Sequence, residues 1–380
     1  MLLEKLIEEK NHADSTARSF RACIKLYEEV CGKSLDDLIA EADTEEEAGV
    51  RWKDRKLKEH LINFRKYLYA HKSEGTAKRY FTIVKTVYTH YEIEIHKLPS
   101  FASKQIDKTY KMKHSDLLTK KELIDGYYEA NNLVKCIIVF GISSGLSKVD
   151  MLNLTVGDFL DACSDYTTQR GVLNQLLELK DKSYIIPCFE GNRRKTDSSF
   201  ITFCSPEAAE HIIQYLLGEN VKLQEEELEL TRDHKLFNIT ASYVSAVFQN
   251  INKKLNLGKA GKFVRFRCHM LRKFHASTLF NTEILTWSVE EIDTLQGRAM
   301  DMTHQAYFKN SKEKLFKKYY ACVDELMLFK SIHEIDKEAY DKLAEENKFY
   351  KNEMEEQKKT IDAIKKAQQE LEDMLLKVQI

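Results

Sequence analysis

Three short clusters in this chain hold side chains suited to a phosphate. His269 and Arg272 stand three apart in His-Met-Leu-Arg, Gly297-Arg298 follows, and Tyr307 comes nine positions after Arg298. On a helix an i, i+3 pair falls on one face, so His269 and Arg272 can address a single group. Arginine presents a planar fork to two oxygens, and histidine gives or takes a proton near neutral pH. Tyrosine loses its proton only near ~10, so as a nucleophile it needs help in doing so. The first cluster closes a segment, 253 to 273, that holds Lys253, Lys254, Lys259, Lys262, Arg265, Arg267, Arg272 and Lys273 without one acid. Such a concentration of cations is costly unless a polyanion meets it. The segment is therefore expected to form a main phosphate-contacting surface, with Lys262, Arg265, Arg267 and Lys273 in it.

In order and spacing these clusters resemble the active site of the tyrosine recombinases, the phage-integrase family that cuts and rejoins DNA through a covalent phosphotyrosine. The resemblance implies a role for each residue. Tyr307 is the nucleophile, with Tyr319 and Tyr320 as rivals that lack the glycine-led motif at the family's distance. His269 and Arg272 are the H-x-x-R pair. Arg298 stands where much of the family has His, and the variant Leu295-Gln-Gly-Arg298 looks like the archaeal branch. Lys195, in Arg193-Arg-Lys-Thr196, matches the hairpin lysine thought to protonate the 5′-oxygen, with Arg194 as the off-by-one alternative. The family further implies a helical core-binding domain ahead of the catalytic one, the two clamping duplex attachment-site DNA. It also implies a 3′-phosphotyrosyl intermediate, no cofactor, metal or ATP, and dimers that become tetramers in the synapse.

One place departs from the pattern. The family usually reads T-G-L-R-x-x-E-L-x-x-L, and this chain reads Ser144-Gly-Leu-Ser147-Lys-Val-Asp150-Met-Leu-Asn-Leu154. The first arginine is replaced by Ser147, with Lys148 next to it. Lys148 brings charge as a point donor rather than a fork, and one lost transition-state donor lowers rates by roughly 10²–10³. Three readings follow: Lys148 substitutes, a natural arginine has been replaced, or the protein is a silent DNA-binding relative. A type IB topoisomerase-like relaxing enzyme, with the same chemistry and no synapsis, is a further alternative.

The elements that must position these groups are mainly helical, with a small sheet. Only three prolines occur, at 99, 187 and 206, leaving long stretches free to be helical. Residues 1–98 read as a helical domain, with helices near Ser15–Phe20, over Leu57–Tyr69 and from Gly75. In the last, Tyr80, Val84, Val87, Tyr88 and Tyr91 repeat at helical spacing as core, while Lys78 and Arg79 face outward as DNA-binding candidates. Residues 99–116 are basic and weakly periodic, a linker. The catalytic domain is expected over 117–330, opening on a capping box from Thr119 and Glu122. Tyr184–Phe189 and Phe200–Cys204 read as a hairpin around a basic turn holding Arg193 and Arg194, with Pro187 placing the first run on an edge.

From 331 to 380 a coiled-coil helix is expected, for self-association, with a single amphipathic helix, exposed or folded onto the catalytic domain, as the alternative. One seam takes Tyr340, Asn347, Met354, Ile361, Gln368 and Leu375, and the other Leu343, Tyr350, Gln357, Ile364, Leu371 and Val378. The 59 Lys+Arg balance 60 Asp+Glu, so it is the distribution of charge that points to nucleic acid. The eight cysteines form no C-x-x-C pair, which argues against zinc and suits a reducing cytoplasm. The charged start is no signal peptide and no apolar run approaches the ~18 residues of a membrane span. A cytoplasmic, DNA-associated protein is expected.

Overall fold

The computed structural model describes residues 2–101, 112–182, 184–194, 197–298 and 311–329. Tyr307, Lys195, most of the expected linker and the heptads of the tail lie outside them. The chain divides into two compact units, Met1–Lys111 and Met112–Ile380. Helix dominates both, and the strands make two small antiparallel sheets among the described residues.

In the first unit the helices are α1 (Leu2–Glu9), α2 (Asp14–Cys31), α3 (Leu35–Glu47), α4 (Lys56–His71) and α5 (Glu74–His90). Three of these were legible as periodic runs. The acidic α3 was not, although Ser34 caps it by accepting from the Asp37 N–H. Leu61, Phe64 and Leu68 of α4 and Val84, Val87 and Tyr88 of α5 are sealed in one core. The Tyr27 and Tyr88 hydroxyls pair there at 3.0 Å, so these aromatics serve packing rather than base stacking.

The second unit starts on α6 (Lys120–Tyr128) with the expected capping box: Thr119 Oγ1 accepts from the Glu122 N–H, and Glu122 Oε2 from the Thr119 N–H. Helix α7 (Asn132–Ser144) carries the long apolar run and is almost wholly buried. Then come α8 (Lys148–Met151), α9 (Val156–Ala162) and α10 (Val172–Lys180). Strands β1 (Cys188–Asn192) and β2 (Ser199–Phe203) pair antiparallel, Cys188 opposite Phe203 and Asn192 opposite Ser199. The hairpin thus sits later than the apolar run Tyr184–Phe189 suggested. Proline lacks an N–H to give a ladder, so pairing opens after Pro187, whose carbonyl accepts from the Cys204 N–H instead.

Helices α11 (Pro206–Glu225) and α12 (Ala241–Lys254) follow, then a short β3 (Lys259–Ala260) and β4 (Phe263–Val264), a second hairpin the sequence pattern did not reveal. The final described helices are α13 (Cys268–Asn281), α14 (Val289–Gln296) and α15 (Lys312–Cys322). One apolar cluster joins α6, α7 and α9 to α13, and a second joins β2 to α13, α14 and α15. Helix α13 belongs to both, so residues on its remaining face are held rigidly. No described helix is long and apolar enough to cross a membrane. All eight cysteines are free and most are buried, behaving as small apolar side chains.

Candidate functional site

The site is built where the end of α7 meets the start of α13. Helix α7 stops at Gly145, which takes φ +64, a left-handed value that glycine adopts without penalty. The Gly145 carbonyl accepts from Arg272 Nη1 at 2.9 Å. A Cβ at 145 would meet His275 Nδ1 at 2.5 Å, so glycine is needed for close approach as well as for φ. Arg272 is only 5% exposed, its guanidinium held at the helix end rather than waving in solvent.

Gln296, the last residue of α14, donates from Nε2 to the Arg272 carbonyl at 2.9 Å and meets His275 Nδ1 at 3.1 Å. An amide nitrogen only donates, so Nδ1 accepts and the ring proton resides on Nε2. His275 is fully buried, and its Nε2 has no hydrogen-bond partner among the described residues. Burial first, then the Arg272 and Arg298 charges, push it down to about 3. It is a neutral prop beneath Arg272.

Gly297 closes α14 with φ +60, and the Arg298 N–H reaches back to the Asp293 carbonyl at 2.9 Å. This turn fixes where Arg298 leaves the helix. Its guanidinium lies 3.3 Å from Asp293 Oδ1, an ion pair by distance that lacks the alignment of a hydrogen bond. The charges of Arg272 and Arg298 interact. Burial, then Arg193, then Arg298 lower Arg272 to about 10, against the opposing pull of Asp150 and Asp293. Arg272 therefore keeps its proton at neutral pH. His269 is exposed at the surface, yet desolvation against the protein, then Lys273, Arg267, Arg272 and Arg298, take it down to about 4. It is therefore neutral at pH 7. Repulsion between these cations is relieved when an anion sits among them.

Arg193 reaches this place from the β1–β2 turn. Its Nε is 3.3 Å from Asp150 Oδ2, and the Arg194 N–H donates to Asp150 Oδ1, also at 3.3 Å. Ser147 caps α8 and gives its hydroxyl proton to the same Oδ2 at 2.7 Å. Lys148, by contrast, is bound by α12, its Nζ donating to the Ala241 carbonyl at 3.0 Å and to Ser245 Oγ at 2.9 Å.

The basic segment is less uniform than its sequence suggests. Arg265 turns inward: it pairs with Glu122 at 2.9 Å and donates to the Leu117 carbonyl, fastening α6 to the segment after β4. Arg267 donates to the Val264 carbonyl and lies over the Phe263 ring, keeping its charge near His269. Lys273 is half-buried against Met112, and burial, then Arg267 and Arg298, lower its pKa. Lys262 and Arg194 are exposed. In the first unit, Lys78 pairs with Glu74 and Arg79 lies over Tyr80, both exposed on α5.

Of the rival tyrosines, Tyr319 is sealed in the core, donating to the Ser143 carbonyl at 3.0 Å, and burial drives its pKa well above 10. Tyr320 on the same helix is half-buried beside Phe316. Sequence reasoning missed His275 as part of the site. The signal was present: His269, Arg272 and His275 repeat at three-residue steps on one helix.

No protein-family model matches the chain, and no curated protein sequence matches it. Solved structures similar in fold are recombinases and integrases. A lambda integrase tetramer bound to a Holliday junction is 15% identical, with a TM-score of 0.45, over 81% of this chain and 77% of that one. The Tn1549 transposon integrase, solved with circular intermediate DNA, is 14% identical, with a TM-score of 0.44, over 84% and 97%. XerA recombinase is 15% identical, with a TM-score of 0.34, over 84% and 95%.

Proposed function

We propose that the chain is a tyrosine-type DNA strand transferase, a site-specific recombinase or integrase. The observation that carries this reading is that Arg272, fastened to the end of α7 through the Gly145 carbonyl, lies within electrostatic reach of Arg193 and Arg298 from sequence-distant elements, with His269 one turn earlier on the same helix. In the reaction, Tyr307 Oη attacks the scissile phosphorus, forming a 3′-phosphotyrosyl bond while the bond to the 5′-oxygen breaks. The phenol proton passes to a base, a role open to His269 once the bound phosphate offsets the cations that depress its pKa, and Lys195 protonates the leaving 5′-oxygen. Arg272 and Arg298 donate to the non-bridging oxygens as charge builds there. One phosphodiester is exchanged for another, so attack by a partner strand's 5′-hydroxyl reverses the step without ATP.

Both units would contact duplex DNA, the first through Lys78 and Arg79 on α5. The Gln296-Gly297-Arg298 variant suits the archaeal or archaeal-virus branch. Pairs of protomers on each attachment site, with tail coiled coils between them, would make the synaptic tetramer. The test is incubation with a pool of nicked duplexes whose central sequence is randomised, followed by denaturing electrophoresis. A DNA-linked species that survives denaturant and is destroyed by protease is expected. DNA binding with no such species favours the silent relative, for which Ser147 in the arginine slot speaks.

A further inference from the structure

We propose that Arg193, carried on the β1–β2 turn, takes the place left by Ser147 and grips the reacting phosphate beside Arg272. This rests on the strand-transfer reading and names the missing donor. Asp150 is the pivot. Its carboxylate is only 7% exposed, and a single oxygen of it binds both the Ser147 hydroxyl and the Arg193 guanidinium. A guanidinium has therefore been delivered to the doorstep of residue 147 from a different element. The Arg193 backbone is anchored on both sides: its N–H donates to the Ser198 carbonyl and its own carbonyl accepts from the Asp197 N–H. The Arg194 N–H on the other Asp150 oxygen makes a third tether.

The Arg193 side chain is 20% exposed, so it is ordered without being shut away. Only its Nε faces Asp150, leaving the outer edge of the fork for an anion. Its charge also registers on Arg272, the neighbour a shared phosphate would require. Lys148 is a weaker occupant, because two hydrogen bonds hold its ammonium on α12.

The test uses the full chain and four forms: parent, Arg193→Gln, Arg193→Lys and the double change Arg193→Gln with Ser147→Arg. Each is checked for an unchanged melting profile. Covalent adduct formation on the pooled nicked duplexes is timed, and binding of inorganic phosphate is followed by arginine Nε–H NMR. Arg193→Gln is expected to slow adduct formation by roughly 10²–10³, and Arg193→Lys to recover little, since a point charge replaces a fork. Ser147→Arg should restore at least about tenfold, because it supplies the guanidinium from the vacated position. An Arg193→Gln rate within about threefold of the parent overturns the assignment, as does a folded double variant that stays as slow as the single one. If the parent itself forms no adduct, the strand-transfer reading fails separately. Phosphate binding then decides Arg193: weakening in Arg193→Gln supports the contact, and undiminished binding overturns it.

Discussion

Acidification should unlock the site from beneath, through His275. The ring is fully buried and receives a hydrogen bond at Nδ1, and burial first, then the Arg272 and Arg298 charges, take it from 6.5 down to about 3. The sign follows directly. Between pH 6.5 and 3 the unfolded chain binds a proton at this histidine and the folded one does not, so stability falls as pH falls through that window. The full span is on the order of 4–5 kcal/mol, and between pH 7 and pH 5 the loss is about 2 kcal/mol. The perturbation is His275→Asn, whose amide oxygen can still accept from Gln296 but cannot titrate. Urea unfolding of parent and variant at pH 7 and pH 5 isolates the effect from the carboxylates and from His269. The variant starts lower at pH 7, through the smaller side chain, and that offset cancels in the comparison. What matters is that the parent loses about 2 kcal/mol more than the variant on going to pH 5. Equal losses, or an NMR titration of the His275 ring with a midpoint near 6.5, would refute a buried neutral prop.

Three further outcomes follow from the same geometry. Gly145→Ala forces a left-handed residue and drives a methyl into His275, so it should cost about 2–4 kcal/mol in urea unfolding and weaken phosphate binding by displacing the carbonyl that holds Arg272. Tyr319→Phe should lower stability by about 1–2 kcal/mol, through the lost bond to the Ser143 carbonyl, and leave adduct formation intact. Arg265→Gln should destabilise the second unit by about 1–3 kcal/mol, because it breaks the tie to Glu122. The dependence of DNA binding on log salt should change by less than about one unit, since the Arg265 guanidinium is already engaged by Glu122 and the Leu117 carbonyl.

The helical character and the capping box at Thr119 were legible because each depends on local spacing. Periodic apolar runs such as Leu57–Tyr69 declare themselves. The acidic α3 does not, because its buried face is only four residues deep: Leu35, Leu38, Ile39 and Ala42. Strand boundaries around Pro187 slipped because β propensity marks the apolar run and not the ladder. The site was only half visible. Arg272 and Arg298 stand in recognisable motifs, yet their support comes from Gly145, His275 and Gln296, which meet only in the folded chain. Charge counting along the chain does not reveal the partner of Arg265 for the same reason. Its ion pair with Glu122 spans well over a hundred residues, and no local pattern reports a contact of that separation. Arg193 and Asp150 are likewise joined only by the fold.

The central claim is that Tyr307 becomes covalently joined to DNA at the cationic site. The most direct measurement is protease digestion of the adduct formed on nicked duplex, followed by mass mapping of the nucleotide-bearing peptide, with Tyr307→Phe run in parallel. The account requires a single phosphotyrosyl peptide containing Tyr307, on a 3′-phosphate, and no adduct from the phenylalanine form although it still binds DNA. An adduct on Tyr320 or any other residue, or one that persists in Tyr307→Phe, would contradict it.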